Sequence, residues 1–215
     1  MQSKRPRELR AIRAACGMVK AAVTALASSR SSGLSVGITE ALANAEHAAL
    51  QLGAQDVRTL FSTDGGRTLR PFLAPIDRPA EPLQAYVAVR HLGYWAEGYV
   101  HMTDKPGAAA RKAGESLTAG IGLVKAGAAC RDIAAAMKRS LAPFGEHPVT
   151  AGSFGSSIGL SLDEDPRIAV DSDALLPAGG VCTLRAGATD GTQHAIVSAM
   201  VAIGDKGGEV LWSAV

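Results

Sequence analysis

The stretch that decides the fold runs Gly155-Ser156-Ser157-Ile158-Gly159-Leu160-Ser161-Leu162-Asp163-Glu164-Asp165-Pro166, and Leu176-Pro177-Ala178-Gly179-Gly180-Val181-Cys182-Thr183-Leu184-Arg185 follows it. The glycines at 152, 155 and 159 do not make a phosphate cradle, because no helical pattern follows them. Gly155-Ser156-Ser157 looks superficially like a nucleophile elbow. That motif needs a strand–turn–helix unit and an adjacent His, and neither is visible. What remains is a polar, turn-rich segment leading into an apolar run that ends on a cation, Arg185. Its meaning depends on the chain around it.

The surrounding composition is that of an ordinary globular domain. A chain of 215 residues is long enough for one domain with a substantial core, and 47% hydrophobic with 20% charged residues is typical. The net charge of +2 gives no argument for nucleic acid or an acidic surface. Aromatic residues are only 4%, and abundant Ala and Gly imply close helix-to-sheet packing. No apolar run approaches the roughly 20 residues of a membrane span. Lys4, Arg5 and Arg7 make the N-terminus basic, but no apolar signal core follows, so no secretory leader is expected. Cys16, Cys130 and Cys182 are odd in number and far apart, which fits neither a disulfide framework nor a zinc site. A reducing cytoplasm is the default expectation.

Leu9, Ile12, Cys16, Val19, Val23 and Leu26 form one apolar stripe, which predicts a long amphipathic helix closed by Ser31-Ser32-Gly33. Thr39 to Leu52 reads as a second helix, with Thr39 as N-cap and Gly53 just past its end. A strand follows over Val57–Ser62, then a hairpin-type turn at Asp64-Gly65-Gly66. Ala85–Arg90 and Gly93–Met102 read as consecutive strands. Helices are expected over Ala108–Val124, introduced by Pro106, and over Cys130–Leu141. Ile168–Val170, Val181–Leu184, Ala195–Ile203 and Val210–Trp212 read as strands. The order of helix, helix, strands therefore occurs twice. Gly37-Ile38-Thr39-Glu40 to Gly53 aligns with Ala129-Cys130-Arg131-Asp132 to Gly145, which points to two related halves.

These segments resemble the pita-bread superfamily of methionine aminopeptidase, aminopeptidase P, prolidase and creatinase. Gly155–Pro166 is similar to its Gly-His-Gly-Ile-Gly-Leu…His-Glu-x-Pro, and Leu176–Arg185 to Leu-x-Pro-Gly-Met-Val-x-Thr-x-Glu. Arg5-Pro6-Arg7-Glu8-Leu9 resembles the opening of these catalytic domains, Gly37-Ile38-Thr39-Glu40 a helix start, and Gly93-Tyr94-Trp95-Ala96-Glu97 the strand of the second ligand Asp. Ala199–Ile203 and Gly208-Glu209-Val210-Leu211 resemble the closing strands. The resemblance implies one α/β (α+β) domain over 1–215: a curved, mostly antiparallel sheet with helices on its outer face and two pseudo-symmetric halves. The extra N-terminal domain of aminopeptidase P and creatinase is expected to be absent, and a homodimer is expected.

The resemblance also locates the metal ligands. The second Asp corresponds to Glu97, the first to Tyr86, the His to Ser156 and the first Glu to Arg185. The last Glu falls at Val197, or at Ile196 if a gap intervenes. Two divalent cations need several carboxylates. Here one carboxylate stands with a guanidinium, a phenol, a hydroxyl and an alkyl group, so no dinuclear metal site and no other cofactor is expected. Creatinase works without metal, but its catalytic His would stand at Ser156, so that chemistry does not carry over either.

Side chains alternate along strands, so a cleft that holds Glu97 also faces Tyr99 and His101, and one that holds Tyr86 also faces Ala88 and Arg90. Asp163 lies where metal-dependent members carry a substrate-facing His. The catalytic candidates are thus Glu97, His101, Tyr86 and Arg185, with Tyr99, Ser156, Asp163 and Arg90 binding substrate. Glu97 or His101 could remove a proton and Tyr86 or Tyr99 return one. Arg185 could hold a carboxylate or a developing oxyanion. The plainer alternatives are an Arg185–Glu97 pair that plugs the vacated metal site, a strand-end His101, and solvated loop acids at Asp163 and Glu164. His194 is expected to face away from the cleft. The leading expectation is a metal-independent acid–base enzyme acting on a small amide- or amino-acid-like molecule. The alternatives are a non-catalytic binding module and a metal-dependent Xaa-Pro-type aminopeptidase. Nucleic-acid and membrane partners are not expected.

Overall fold

The computed structural model describes residues 3–31, 37–71 and 81–215. Helices α1 (Pro6–Ser31) and α2 (Ile38–Gln51) precede strands β1 (Asp56–Phe61), β2 (Leu83–His91) and β3 (Tyr94–Met102). Helices α3 (Ala108–Ile121) and α4 (Cys130–Leu141) precede β4 (Gly145–Glu146), β5 (Gly155–Ser157), β6 (Glu164–Arg167), β7 (Val181–Thr189), β8 (His194–Ile203) and β9 (Gly208–Ser213). The expected repeat of two helices and then strands is thus present. α2 and α4 begin at the aligned positions Ile38 and Cys130.

β1-β2-β3 form one sheet, and β6-β5-β7-β8-β9 form a second, with β4 pairing β7. Every strand pairing among the described residues is antiparallel. The sheets meet where β3 packs on β8. The Tyr99 N–H donates to Ser198 Oγ at 2.8 Å, and buried Gln84 bonds both backbone groups of Ile196. One apolar core lies under α1 and α2, around Ile12, Leu26, Leu42 and Val87. The other lies under α3 and α4, around Leu117, Ile133, Leu184 and Val197. The opposite face of the joined sheets is left for a site.

Several local expectations are corrected. By length and composition alone α1 could cross a membrane over Pro6–Ser29, contrary to the expectation that no run approaches that length. Its stripe of Ile12, Cys16, Val19 and Leu26 is instead buried, in a helix packed on α2, β2 and β3. Ser31 ends α1, whereas Ser32-Gly33 lies outside the described residues. The N-cap of α2 is Gly37, not Thr39, and Gly53 follows at φ +93 as a C′ glycine. α3 stops at Ile121 rather than Val124, because Gly122 caps it. Ile168–Val170 is not a strand. Pairing instead involves Glu164–Arg167, and β5 beside it is a strand that periodicity does not reveal.

Candidate functional site

The strand register builds the site. Tyr86 pairs with Tyr99 and Ala88 with Glu97, so these side chains share one face of β2–β3. On the second sheet Ser156 pairs with Thr183, Thr183 with Met200 and Arg185 with Ser198. β5 reaches β7 closely because residue 155 is glycine. Its φ is +145, and a Cβ there would collide with the Thr183 carbonyl oxygen.

Glu97 is the centre, with a side chain only 1% exposed. Tyr86 Oη donates to its Oε2 at 2.9 Å, and Thr183 Oγ1 to its Oε1 at 2.8 Å. Arg185 Nε donates to the same Oε1 at 2.6 Å. Arg185 then reaches outward. Its Nη1 lies 2.9 Å from Asp163 Oδ1, and its Nη2 donates to the Leu162 carbonyl at 3.4 Å. Ser156 Oγ donates to Asp163 Oδ1 at 2.8 Å. The Arg185 side chain is 14% exposed and that of Asp163 69% exposed, so the network runs from a sealed carboxylate to an open one. The Tyr86 and Tyr99 rings pack with centroids 4.5 Å apart.

The electrostatics follow from this layout. Burial raises the Tyr86 phenol far above its ordinary range, and the Glu97 charge raises it further, so Tyr86 remains a donor. Burial and then Glu97 act on Tyr99 in the same direction. Burial works against the Arg185 cation, but Glu97 and then Asp163 outweigh it and hold the guanidinium charged. Partial burial raises the Asp163 carboxyl, but the Arg185 charge and the Ser156 hydrogen bond bring it below its usual value.

Of the expected site residues, Glu97, Tyr86, Arg185, Tyr99, Ser156 and Asp163 come together. His101 and Arg90 do not, which corrects their expected places. Alternation predicts the right face but ignores distance along the strand. His101 lies four residues from Glu97, roughly 13 Å at ~3.3 Å per residue. There it pairs with Gln84 instead. Arg90 is exposed at the opposite end of β2, paired with Trp95 in the register, and among the described residues its guanidinium bonds none of the cluster. Val197 is also corrected as the ligand-equivalent position. It points into the helix-side core, whereas Ser198 pairs with Arg185 and Ile196 shares its face. His194 therefore lies on the cleft face, not away from it. Thr183 was not anticipated, although it stands two residues before Arg185 and must share its face.

The metal pair implied by the resemblance does not fit these donors. The Arg185 guanidinium lies directly against the single buried carboxylate, where a dication would be repelled. Among the described residues no three His, Cys, Asp or Glu side chains form a group able to hold a metal.

The sequence matches the profile of metallopeptidase family M24 over residues 10–206. No curated protein matches it. Among solved structures, the prolidase from Pyrococcus furiosus superposes with a TM-score of 0.81 at 19% identity, over 97% of this chain and 64% of that one. The X-Pro aminopeptidase from Thermotoga maritima gives 0.79 at 19% identity, over 98% and 61%. The methionine aminopeptidase from Thermotoga maritima gives 0.76 at 16% identity, over 98% of both chains. These likenesses bear out the pita-bread fold. The chain spans about three fifths of the prolidase-type structures.

Proposed function

This chain belongs to metallopeptidase family M24, and from that premise we propose that it recognises a small amine- or amidine-bearing, amino-acid-like molecule without a metal ion. The observation that carries the reading is Arg185, whose guanidinium bridges Glu97 and Asp163 at 2.6 and 2.9 Å. A fixed internal cation takes the role of charge partner to the family's remaining acid. Two carboxylates and one guanidinium leave the network with one net negative charge, and its exposed end is Asp163. Asp163 Oδ1 is engaged by both Ser156 and Arg185. Oδ2 is the oxygen left for a ligand, and its charge favours a protonated amine or amidine.

A second reading is acid–base catalysis on the same ligand, by hydrolysis, elimination or cyclisation. It is favoured by the hydroxyls of Tyr86, Ser156 and Thr183, which remain where a decayed site drifts toward apolar residues. Glu97 is fully engaged and 1% exposed, so the base would be Asp163. Its lowered pKa makes it a weak base near neutrality, and recognition therefore ranks first.

Elemental analysis of protein purified without chelator, and calorimetry with arginine amide and benzamidine, test both parts. The expected result is sub-stoichiometric metal and saturable binding of a cationic probe that Asp163→Asn abolishes. Stoichiometric Mn, Co, Zn or Fe with dipeptide hydrolysis would overturn the proposal. Metal-free turnover of a probe would promote the second reading.

A further inference from the structure

A second concave site uses none of the residues of the Glu97 cluster. A cavity of about 250 Å3 opens where β3 ends, α3 begins and β7 turns into β8. Its polar lining is His101, Thr103, Lys105, Thr192, Gln193 and His194, and among the described residues no carboxylate lines it. Among the described residues Lys105 makes no ion pair.

The hydrogen bonds determine what these groups offer. The Gly191 N–H donates to Thr189 Oγ1 at 3.0 Å, and the same hydroxyl is hydrogen-bonded to His194 Nδ1 at 2.8 Å. With Nδ1 engaged there, Nε2 is the ring nitrogen left for a ligand, and it donates in the tautomer in which Thr189 gives its proton to Nδ1. Its ring is steadied edge-on by His147 at 5.6 Å between centroids. Behind His101 the buried Gln84 amide is oriented by the Val100 and Ile196 carbonyls and the Ile196 N–H. Its Oε1 therefore accepts from His101 Nδ1 at 3.1 Å, so His101 is a fixed wall. Gln193 Oε1 accepts from the Ala108 and Ala109 N–H groups at 3.0 and 3.4 Å. The start of α3 is thus already capped and does not itself make the site. The Gln193 NH2 remains a donor.

We propose that this cavity binds a small oxyanion of the phosphate type through Lys105, the His194 Nε2–H and the Gln193 NH2. These donors line one cavity, and among the described residues no carboxylate lines it to compete, which suits an anion with several acceptor oxygens. The volume is below the roughly 300–1,000 Å3 of pockets for drug-sized ligands, so it suits the free ion or the phosphate end of a small monoester. The site is independent of Arg185 and Asp163.

Calorimetry of the full chain in chloride buffer, with inorganic phosphate, methyl phosphate and sulfate as probes, tests this. Saturable phosphate binding is expected. Lys105→Ala and His194→Phe should each weaken it at least about 5-fold, an effect of about 1 kcal/mol. The Phe keeps a ring against His147 and removes both nitrogens. Asp163→Asn should leave phosphate binding unchanged. Methyl phosphate binding more tightly than phosphate identifies a monoester site, and the reverse identifies a free-ion site. Sulfate binding as well as phosphate supports a fully ionised oxyanion. No saturable binding to wild type, or equal binding to a folded Lys105→Ala/His194→Phe double variant, would overturn the proposal.

Discussion

Replacing Arg185 by Ala tests whether the ion pair holds this part of the fold together. The substitution removes the one cation that, among the described residues, is bonded to Glu97, whose side chain is 1% exposed. The carboxylate then retains only two hydroxyl donors, Tyr86 and Thr183. Breaking a buried pair by removing one partner costs about 3–5 kcal/mol. The surviving hydroxyls and the solvent that already reaches Arg185 place this case at the low end, about 3 kcal/mol. For a chain of 215 residues that lowers Tm by roughly 6–12 °C. Glu97→Gln/Arg185→Leu removes both charges, so it should recover at least about 2 kcal/mol of the loss. Asp163→Asn, on the exposed end, should cost under about 1 kcal/mol. Urea unfolding at pH 7 measures all of these. An Arg185→Ala protein within about 0.5 kcal/mol of wild type would refute the argument. So would a Glu97→Gln/Arg185→Leu variant no more stable than Arg185→Ala.

Three further outcomes follow from the same structure. Gly155→Ala drives a methyl into the Thr183 carbonyl at φ +145, so soluble yield should fall and any folded protein should lose about 3 kcal/mol in urea; wild-type stability would show that β5 and β7 are not held as described. Burial pushes the His147 imidazole below its ordinary value of about 6.5, against the Gly66 hydrogen bond and helped by His194. Its Nδ1 accepts the Val149 N–H while Nε2 bonds the Gly66 carbonyl, so protonation breaks one bond. The unfolded chain takes that proton more readily, and stability should fall as pH drops below about 6.5; His147→Gln should flatten this slope, and an unchanged slope counts against the assignment. Burial raises Asp64, but hydrogen bonds from Thr68 and Ser62 bring it down to about 2. Its contribution should be intact above about 3.8 and lost as pH falls toward 2, and an acid-unfolding midpoint unmoved by Asp64→Asn would contradict it.

The helices and long strands were legible because burial writes a period into them. α4 falls on the expected Cys130–Leu141, and β2, β3 and β8 depart from expectation by only a few residues. β5 and β6 were not legible. Gly155–Ser157 has no β-branched residue, and Glu164–Arg167 contains a proline. Both are held by neighbours, which local propensity does not encode. The site was legible wherever a motif supplied the positions, as at Glu97, Ser156, Asp163 and Arg185. It failed on β8, where no motif pins the register. A slip of one residue exchanges the two faces. Reading Val197 inward assigned His194 to the wrong face and hid its shared cavity with His101.

The same slip bears on how the ligand-equivalent positions are filled. With Ser198 rather than Val197 beside Arg185, the position facing the cation on β8 is a hydroxyl already committed to the Tyr99 N–H. No second carboxylate therefore approaches Glu97 from that strand. A divalent ion would face one buried carboxylate, a guanidinium at hydrogen-bond range and hydroxyls that are already donors. Fitting a metal to these donors would require more than replacing Arg185. Arg185→Glu alone would put two carboxylates together with no cation between them, and repulsion at this separation in a buried place costs several kcal/mol. That variant should be less stable than Arg185→Ala in the absence of metal, and added Mn2+ should restore it only partly, because Tyr86 and Ser198 still lack the charge to complete a pair of sites. Full recovery with Mn2+ would mean that the scaffold retains its metal-binding geometry beneath a single substitution.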